Sequence, residues 1–158
     1  ENAWAGTVDE LYGEAAHAMI ALNYISPGLP FLYSGVEYDL NKRLLFFEKD
    51  SFPKVKGETY NLLKKLGALK NTRTALHSGR EAGKYTPIKT SLVDKVLAFE
   101  RSKEGDTIVF ICNMSGEHIG FRSPYNGKLK RYEDEKFKRL SYSYEYRMKP
   151  WEFWILKN

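Results

Sequence analysis

The side chains in this chain that could do acid–base chemistry do not form an obvious set. Arg43, Glu48 and Asp50 lie close together in the sequence and have the right chemical types for an acid–base group. They occur, however, in a charged and polar stretch, and charged side chains in such stretches are mostly exposed to solvent. We therefore interpret these three residues as part of a solvated loop rather than as a catalytic centre.

The residues that could bind a metal ion or act as a nucleophile are also dispersed. His17, His77 and His118 have no ligand spacing with one another or with Cys112, so the sequence predicts no metal site and no cofactor held by these residues. Cys112 is the single cysteine, which excludes an intrachain disulfide. Because three apolar residues precede it, we expect a buried thiol in a strand.

The composition is that of an ordinary soluble globular protein. The chain has 158 residues, of which 42% are hydrophobic and 28% are charged. No apolar run reaches 18 residues, so we expect no transmembrane helix and no membrane partner. Residues 1–20 lack the pattern of a secretory signal and the first residue is not Met, so the localisation stays open and we expect the chain to begin inside a longer protein.

The net charge indicates that two kinds of sequence are joined. Residues 1–79 contain nine Lys/Arg and nine Asp/Glu, whereas residues 80–158 contain sixteen and eleven. The whole formal charge of +5 therefore lies in the second half.

The first half predicts a helix, a strand, a loop and a second helix. Thr7 and Glu10 have the spacing of a capping box, and apolar residues then recur at helical spacing until a stop at residues 26–28. Residues 29–33 are apolar at consecutive positions, which is typical of a parallel strand buried on both faces. The loop is predicted over about residues 35–56, and the second helix over about residues 57–70.

A single parallel strand between two helices cannot form a sheet. Its two edges would carry unpaired backbone groups, so residues 29–34 need neighbouring strands that this chain does not supply. We therefore expect this segment to pair with another chain or to be incompletely covered. Self-association through the exposed strand is a corresponding expectation for the partners of this chain.

The second half predicts an antiparallel β-sandwich. Short runs alternate with turn signals at the spacing of such a fold. The predicted strands cover residues 85–89, 96–101, 107–113, 119–122, 129–132, 142–146 and 153–156. We place the domain boundary between residues 71 and 80, which gives domains 1–76 and 77–158.

Residues 28–37, Gly-Leu-Pro-Phe-Leu-Tyr-Ser-Gly-Val-Glu, resemble the eighth-strand signature of the α-amylase superfamily of glycoside hydrolases. In that family a Gly-x-Pro turn enters the last barrel strand, and Tyr-x-Gly-x-Glu ends it. Residues 1–7 resemble the loop leaving strand seven, and residues 42–50 resemble the segment after strand eight in bacterial α-amylases. Residues 62–79 and 148–156 are similar to the eighth helix and to the closing strand of the C-terminal sandwich.

The resemblance implies an α/β then all-β fold. Residues 1–76 would be the last helix–strand–helix portion of a (β/α)8 barrel, and residues 77–158 the C-terminal antiparallel β-sandwich. The parent enzyme would act on α-1,4-glucans such as starch and maltooligosaccharides through a covalent intermediate, which needs two carboxyl groups about 5–5.5 Å apart. By this resemblance the family's three catalytic carboxylates would lie upstream of Glu1, so no catalytic residue is assigned here and the fragment alone is expected to be inactive. A calcium ion is possible in the parent enzyme, but not from these residues.

Two residues are candidates for contact with a sugar. Trp4 lies where a loop on the catalytic face of the barrel would begin, and its ring could stack on a sugar or fasten the loop to the helix that starts at Thr7. Glu37 could hydrogen-bond a glucose hydroxyl or a neighbouring loop. The expected partner is an α-glucan, bound through the upstream part of the barrel.

Residues 128–149 leave a different reading open. They contain eight Lys/Arg, four Asp/Glu and several aromatic residues, a mixture found in binders of single-stranded nucleic acid. Alternating tyrosines are equally typical of a sheet face, and residues 133–135 interrupt the basic charge, so we do not expect nucleic-acid binding. The alternative that remains is a non-catalytic carbohydrate-binding or scaffold module.

Overall fold

The structure, a computed structural model, describes residues 6–45, 47–123, 125, 127–132, 137–141 and 144–158. In this part of the chain three α-helices precede eight β-strands. The helices are α1 (Val8–Tyr12), α2 (Ala16–Ile25) and α3 (Glu58–Thr72). The strands are β1 (Lys84–Pro87), β2 (Val96–Lys103), β3 (Asp106–Asn113), β4 (Ile119–Arg122), β5 (Gly127–Arg131), β6 (Phe137–Leu140), β7 (Glu145–Met148) and β8 (Phe153–Lys157).

The predicted capping box starts the first helix. The Thr7 hydroxyl accepts a hydrogen bond from the Glu10 amide at 3.1 Å, and the Glu10 carboxylate accepts one from the Thr7 amide at 2.8 Å. The helical stretch is not continuous, because Gly13–Ala15 forms a 3-10 turn between α1 and α2. It ends at Ile25, before the predicted stop.

Residues 29–33, predicted as a strand that needs neighbours from outside this chain, belong to no sheet among the described residues. A strand exists only where a neighbour completes its backbone hydrogen bonds, and in the described residues no strand pairs with this segment. Leu29 is 84% exposed and Phe31 is 70% exposed, as expected for a segment that lacks its cover. The first half thus forms a helical layer with an extended segment. Its described residues contain no barrel sheet.

The second half forms two antiparallel sheets. A six-stranded sheet has the order β1-β2-β3-β8-β5-β6, and β4 pairs with β7 in a two-stranded sheet. Six predicted strands coincide with β1, β2, β3, β4, β5 and β8 to within two residues at each end. Strand β6 was not predicted, and β7 begins at Glu145 rather than at residue 142, which lies outside the described residues.

The sandwich prediction is confirmed by the packing between these sheets. Val109, Ile111 and Leu156 alternate with side chains of the opposite face and pack against Phe121 and Met148 of the smaller sheet. The rings of Phe121 and Trp154 lie 6.2 Å apart between centroids. This interface is the core between the two sheets.

The other face of the six-stranded sheet packs on the helices. Ile108, Phe110 and Cys112 of β3 share a core with Leu66 and Leu69 of α3. Strand β3 is therefore buried on both faces, which explains its unbroken apolar run. The described part of the chain therefore has three layers: the helices, the six-stranded sheet and the two-stranded sheet. The division into domains 1–76 and 77–158 stays a prediction.

The buried thiol is found where it was expected. Cys112 is fully buried in β3, and burial raises its pKa to about 12. None of the helices among the described residues is both long and apolar enough to cross a membrane.

Candidate functional site

An open cleft lies between the helices α1 and α2 and the extended segment that follows them. Its volume is about 440 Å³. Apolar side chains make up most of its lining, which includes Leu11, Met19, Leu22, Phe31, Leu32, Val36, Leu40 and Leu44. An open cleft with such a lining is a surface that favours contact with another apolar element.

Helix α2 carries apolar side chains on most of its surface, His17 and Asn23 excepted, and part of this surface lines the cleft. Ala18, Ala21 and Ile25 are buried, while Met19 and Leu22 face the cleft. A helix that is hydrophobic all round is normally buried on all sides. The apolar composition of α2 is visible in the sequence, but residue spacing alone did not show which side of the helix would face the cleft.

The turn that ends the extended segment depends on Gly35. Its φ is +102°, a conformation that favours glycine, and a Cβ there would approach the Leu40 side chain to 2.5 Å. Glu37 lies in the 3-10 turn Val36–Tyr38, and its carboxylate accepts a hydrogen bond from the Gly35 amide at 2.9 Å. One oxygen of Glu37 therefore holds this turn, and contact of Glu37 with a sugar stays a prediction.

Trp4, the other predicted contact, lies outside the described residues, as do Glu1 and Asn2. The structure begins at Gly6, one residue before the capping threonine. The predicted role of Trp4 therefore stays a prediction.

A polar network borders the cleft at the start of α1. The Thr7 hydroxyl donates to the Asn41 side-chain oxygen at 2.6 Å, and the Asn41 amide group donates to Asp9 at 2.9 Å. Arg43 donates to Glu10 at 3.2 Å. The bond from the Thr7 amide, with a smaller contribution from Arg43, lowers the pKa of Glu10. The loop after the Gly35 turn is thus fastened to the N-terminus of α1.

Asp50 has a structural role in the same loop. Its carboxylate accepts from Lys42 at 2.5 Å, from the Leu45 amide at 3.0 Å and from the Ser51 amide at 2.7 Å. These bonds, that of Lys42 first, lower the pKa of Asp50 to about 2. Asp50 therefore stays ionised near neutral pH and fastens the loop.

His17 joins the two longer helices. Its Nε2 lies 2.9 Å from the hydroxyl of the buried Thr59 at the start of α3. Across the described ranges, no group of three or more His, Cys, Asp or Glu side chains could hold a metal ion.

Comparison with known proteins identifies the fold. No family model and no curated protein matches the sequence. Among solved structures, a maltogenic α-amylase from Thermotoga neapolitana has 18% identity, a TM-score of 0.82 and covers 100% of this chain. An α-amylase from Geobacillus thermoleovorans has 20% identity, a TM-score of 0.66 and covers 90%. The trehalulose synthase from Pseudomonas mesoacidophila MX-45 has 15% identity, a TM-score of 0.66 and covers 96%.

The likeness extends over this chain but over only part of each known structure. The chain spans 40%, 33% and 41% of the three proteins, respectively. It therefore has the fold of a portion of α-amylase-family enzymes.

Proposed function

We propose that this chain is the C-terminal portion of an α-amylase-type retaining glycoside hydrolase acting on α-1,4-glucans. Two independent findings support the proposal. The motif at residues 28–37 resembles the last barrel strand of that family, and a maltogenic α-amylase matches the fold along the full chain. In this role residues 29–34 form the last barrel strand, and the β-sandwich packs behind it.

The observation that carries the proposal is the open side of the extended segment. Leu32 packs against the helical core, whereas Leu29 and Phe31 are largely exposed. Exposed apolar patches of this kind usually mark a surface that another element covers. Neighbouring barrel strands from the upstream part of the protein would complete the backbone bonds of this segment and bury the cleft.

The contribution of this chain to the reaction is architectural. It closes the barrel and supports the Gly35 turn, while the upstream part supplies the carboxyl groups that break the glycosidic bond through a covalent glycosyl-enzyme intermediate, which water then hydrolyses. The polar network of Thr7, Asn41 and Arg43 fastens the loop after that turn to α1, at the edge of the site. Substrate contact from Trp4 and Glu37 is part of this proposal.

The first test reads the coding sequence ahead of the codon for Glu1. We expect a continuous frame that encodes Asn-His-Asp immediately before Glu1, with a glutamate and an aspartate at two earlier strand ends. The longer polypeptide should hydrolyse a reporter maltooligosaccharide and give a product of retained anomeric configuration by NMR. The 158-residue chain should give none. A stop codon just upstream, or hydrolysis by this chain alone, would overturn the proposal.

A second candidate is a carbohydrate-binding module. It is favoured by Tyr85 and Tyr144, which are 42% and 56% exposed on the sheet half of the molecule. Electrophoresis of this chain in starch-containing gels separates the two candidates. Retarded migration that Tyr144→Ala abolishes would support binding, and unretarded migration would leave the architectural role.

A further inference from the structure

Arg101 is a buried cation on β2, the second strand of the six-stranded sheet. There it pairs with Tyr85 of β1 and Ile108 of β3, and it has 0% exposure. In the described part of the chain no ion pair involves it. Arginine is rarely buried without a carboxylate partner, because removing its charge from water is costly.

The guanidinium is held by three backbone carbonyls from three segments. Nη1 donates to the Ile25 carbonyl at 3.1 Å, and Nη2 donates to those of His77 at 3.0 Å and Gly83 at 3.5 Å. The Ile25 carbonyl belongs to the last turn of α2, where carbonyls lack partners within the helix. That helix end also carries partial negative charge, which favours a nearby cation.

Two further side chains bind the turn that follows α2. The Gly28 carbonyl accepts from Lys70 of α3 at 2.9 Å and from the Ser78 hydroxyl at 2.5 Å. Burial lowers the pKa of Arg101, and burial together with the charge of Arg101 lowers the pKa of Lys70. Two cations thus hold the turn at residues 26–28. Arg101 of the sheet binds the Ile25 carbonyl just before the turn, and Lys70 of α3 binds the Gly28 carbonyl at its end.

We propose that Arg101 is a positioning residue that fixes, from the sheet, the point at which the extended segment 29–34 leaves α2. It acts through the Ile25 carbonyl, and Lys70 and Ser78 complete the same attachment at Gly28. The segment has no sheet partner among the described residues, so its path is set by this attachment, by the Gly35 turn and by α2, whose Asn23 side chain donates to the Phe31 carbonyl at 3.1 Å. The role of the segment as a barrel strand rests on the proposed function; its attachment does not.

Hydrogen exchange of the 158-residue chain tests this attachment. The Ser26 amide donates to the Leu22 carbonyl at 2.9 Å, so the last turn of α2 has a measurable protected amide. In Arg101→Met, we expect exchange at residues 24–26 to accelerate on the order of tenfold relative to the amides of β3, because buried carbonyls lose their donor. Chymotrypsin should also cut faster at Phe31 and Tyr33.

The matched control is Lys103→Met. Lys103 lies two residues further along β2. Its ammonium group donates to the backbone carbonyl of Glu81 at 2.9 Å and to the Glu81 carboxylate at 2.7 Å, and not to the turn after α2. We expect this variant to leave exchange at residues 24–26 unchanged relative to β3. Arg101→Lys, which keeps a shorter donor, should give an intermediate acceleration.

Lys70→Met keeps the proposal testable even where Arg101→Met does not fold. It removes one donor to Gly28 on the exposed side of the attachment and should accelerate exchange locally at the turn. The proposal is overturned if the Arg101 and Lys70 variants accelerate β3 and α2 equally, or if Lys103→Met has the same effect on α2. Neither result depends on glucan hydrolysis by a longer protein.

Discussion

Two five-residue apolar runs in this chain, residues 29–33 and 108–112, have opposite surroundings. Each residue from Ile108 to Cys112 has 0% exposure, since helices cover one face of β3 and the smaller sheet covers the other. In the first run Leu29 and Phe31 are largely exposed, and the backbone belongs to no sheet.

The difference shows that an apolar run specifies a buried strand only when neighbours are present. Strand β3 has β2 on one side and β8 on the other, so its backbone groups and side chains are satisfied within this chain. Residues 29–33 have helices against one side alone. Residues 108–112 are thus covered on both faces by other parts of this chain, whereas residues 29–33 are open on one side.

The sharpest test of this contrast applies one substitution to both runs. We expect Phe110→Ala to lower the free energy of unfolding by about 3–5 kcal/mol, because it leaves a cavity in a closed core. Phe31→Ala should change it by less than about 0.5 kcal/mol, because the ring is already mostly in water. Urea denaturation of both variants measures the difference. A cost above about 2 kcal/mol for Phe31→Ala would mean that the segment is covered in solution.

A second test concerns the ion pair that joins the halves. Asp106 at the start of β3 pairs with Arg73 after α3 and accepts from the Ala75 amide at 2.9 Å. Asp106→Asn should lower the free energy of unfolding by about 1–3 kcal/mol, because both groups are mostly shielded from solvent. The exposed pair of Lys95 and Glu117 is the control, and Glu117→Gln should cost only about 0–1 kcal/mol. Equal costs would show that burial does not set the strength of the link.

The smallest effect is expected in the loop held by Asp50. Its pKa of about 2 lies below the ordinary 3.8, so the ionised carboxylate stabilises the folded loop. That contribution is fully present above pH 3.8 and is lost as the pH falls through about 2.

NMR titration of the Leu45 and Ser51 amide shifts should report this transition near pH 2. Lys42→Met should move the transition upward, because Lys42 is the first cause of the lowered pKa. Amides of β3 should show no accompanying change. A midpoint near 3.8 in the unmodified chain would contradict the described hydrogen bonds.

Much of the fold could be predicted because the local sequence patterns belong to elements whose packing partners are present in the same chain. The capping box at Thr7, the leucines of α3 and the strands β2, β3 and β8 all carry patterns whose partners lie within this chain. Strand β6 was missed because its apolar positions do not alternate and it pairs with β5 alone. The strand pattern at residues 29–33 was clear, but no strand pairs with this segment among the described residues.

The site was harder to predict than the fold. The 3-10 turn that occupies the Glu37 carboxylate depends on the backbone geometry of Gly35, which residue types do not specify. Arg101 gave no sequence signal either, because an arginine in a strand is ordinarily assigned to the solvent face. Its burial results from carbonyls that converge from residues 25, 77 and 83.

The burial of Cys112 makes the rate of its chemical modification a measure of structural opening. A thiol with a pKa of about 12 and no exposed surface is protonated and out of reach at neutral pH, so a disulfide reagent can modify it only after β3 has opened. Because it is the single cysteine, the rate of modification reports openings of the core that β3 shares with the helices. The chain therefore carries its own probe of how often this core opens, and no engineered cysteine is needed.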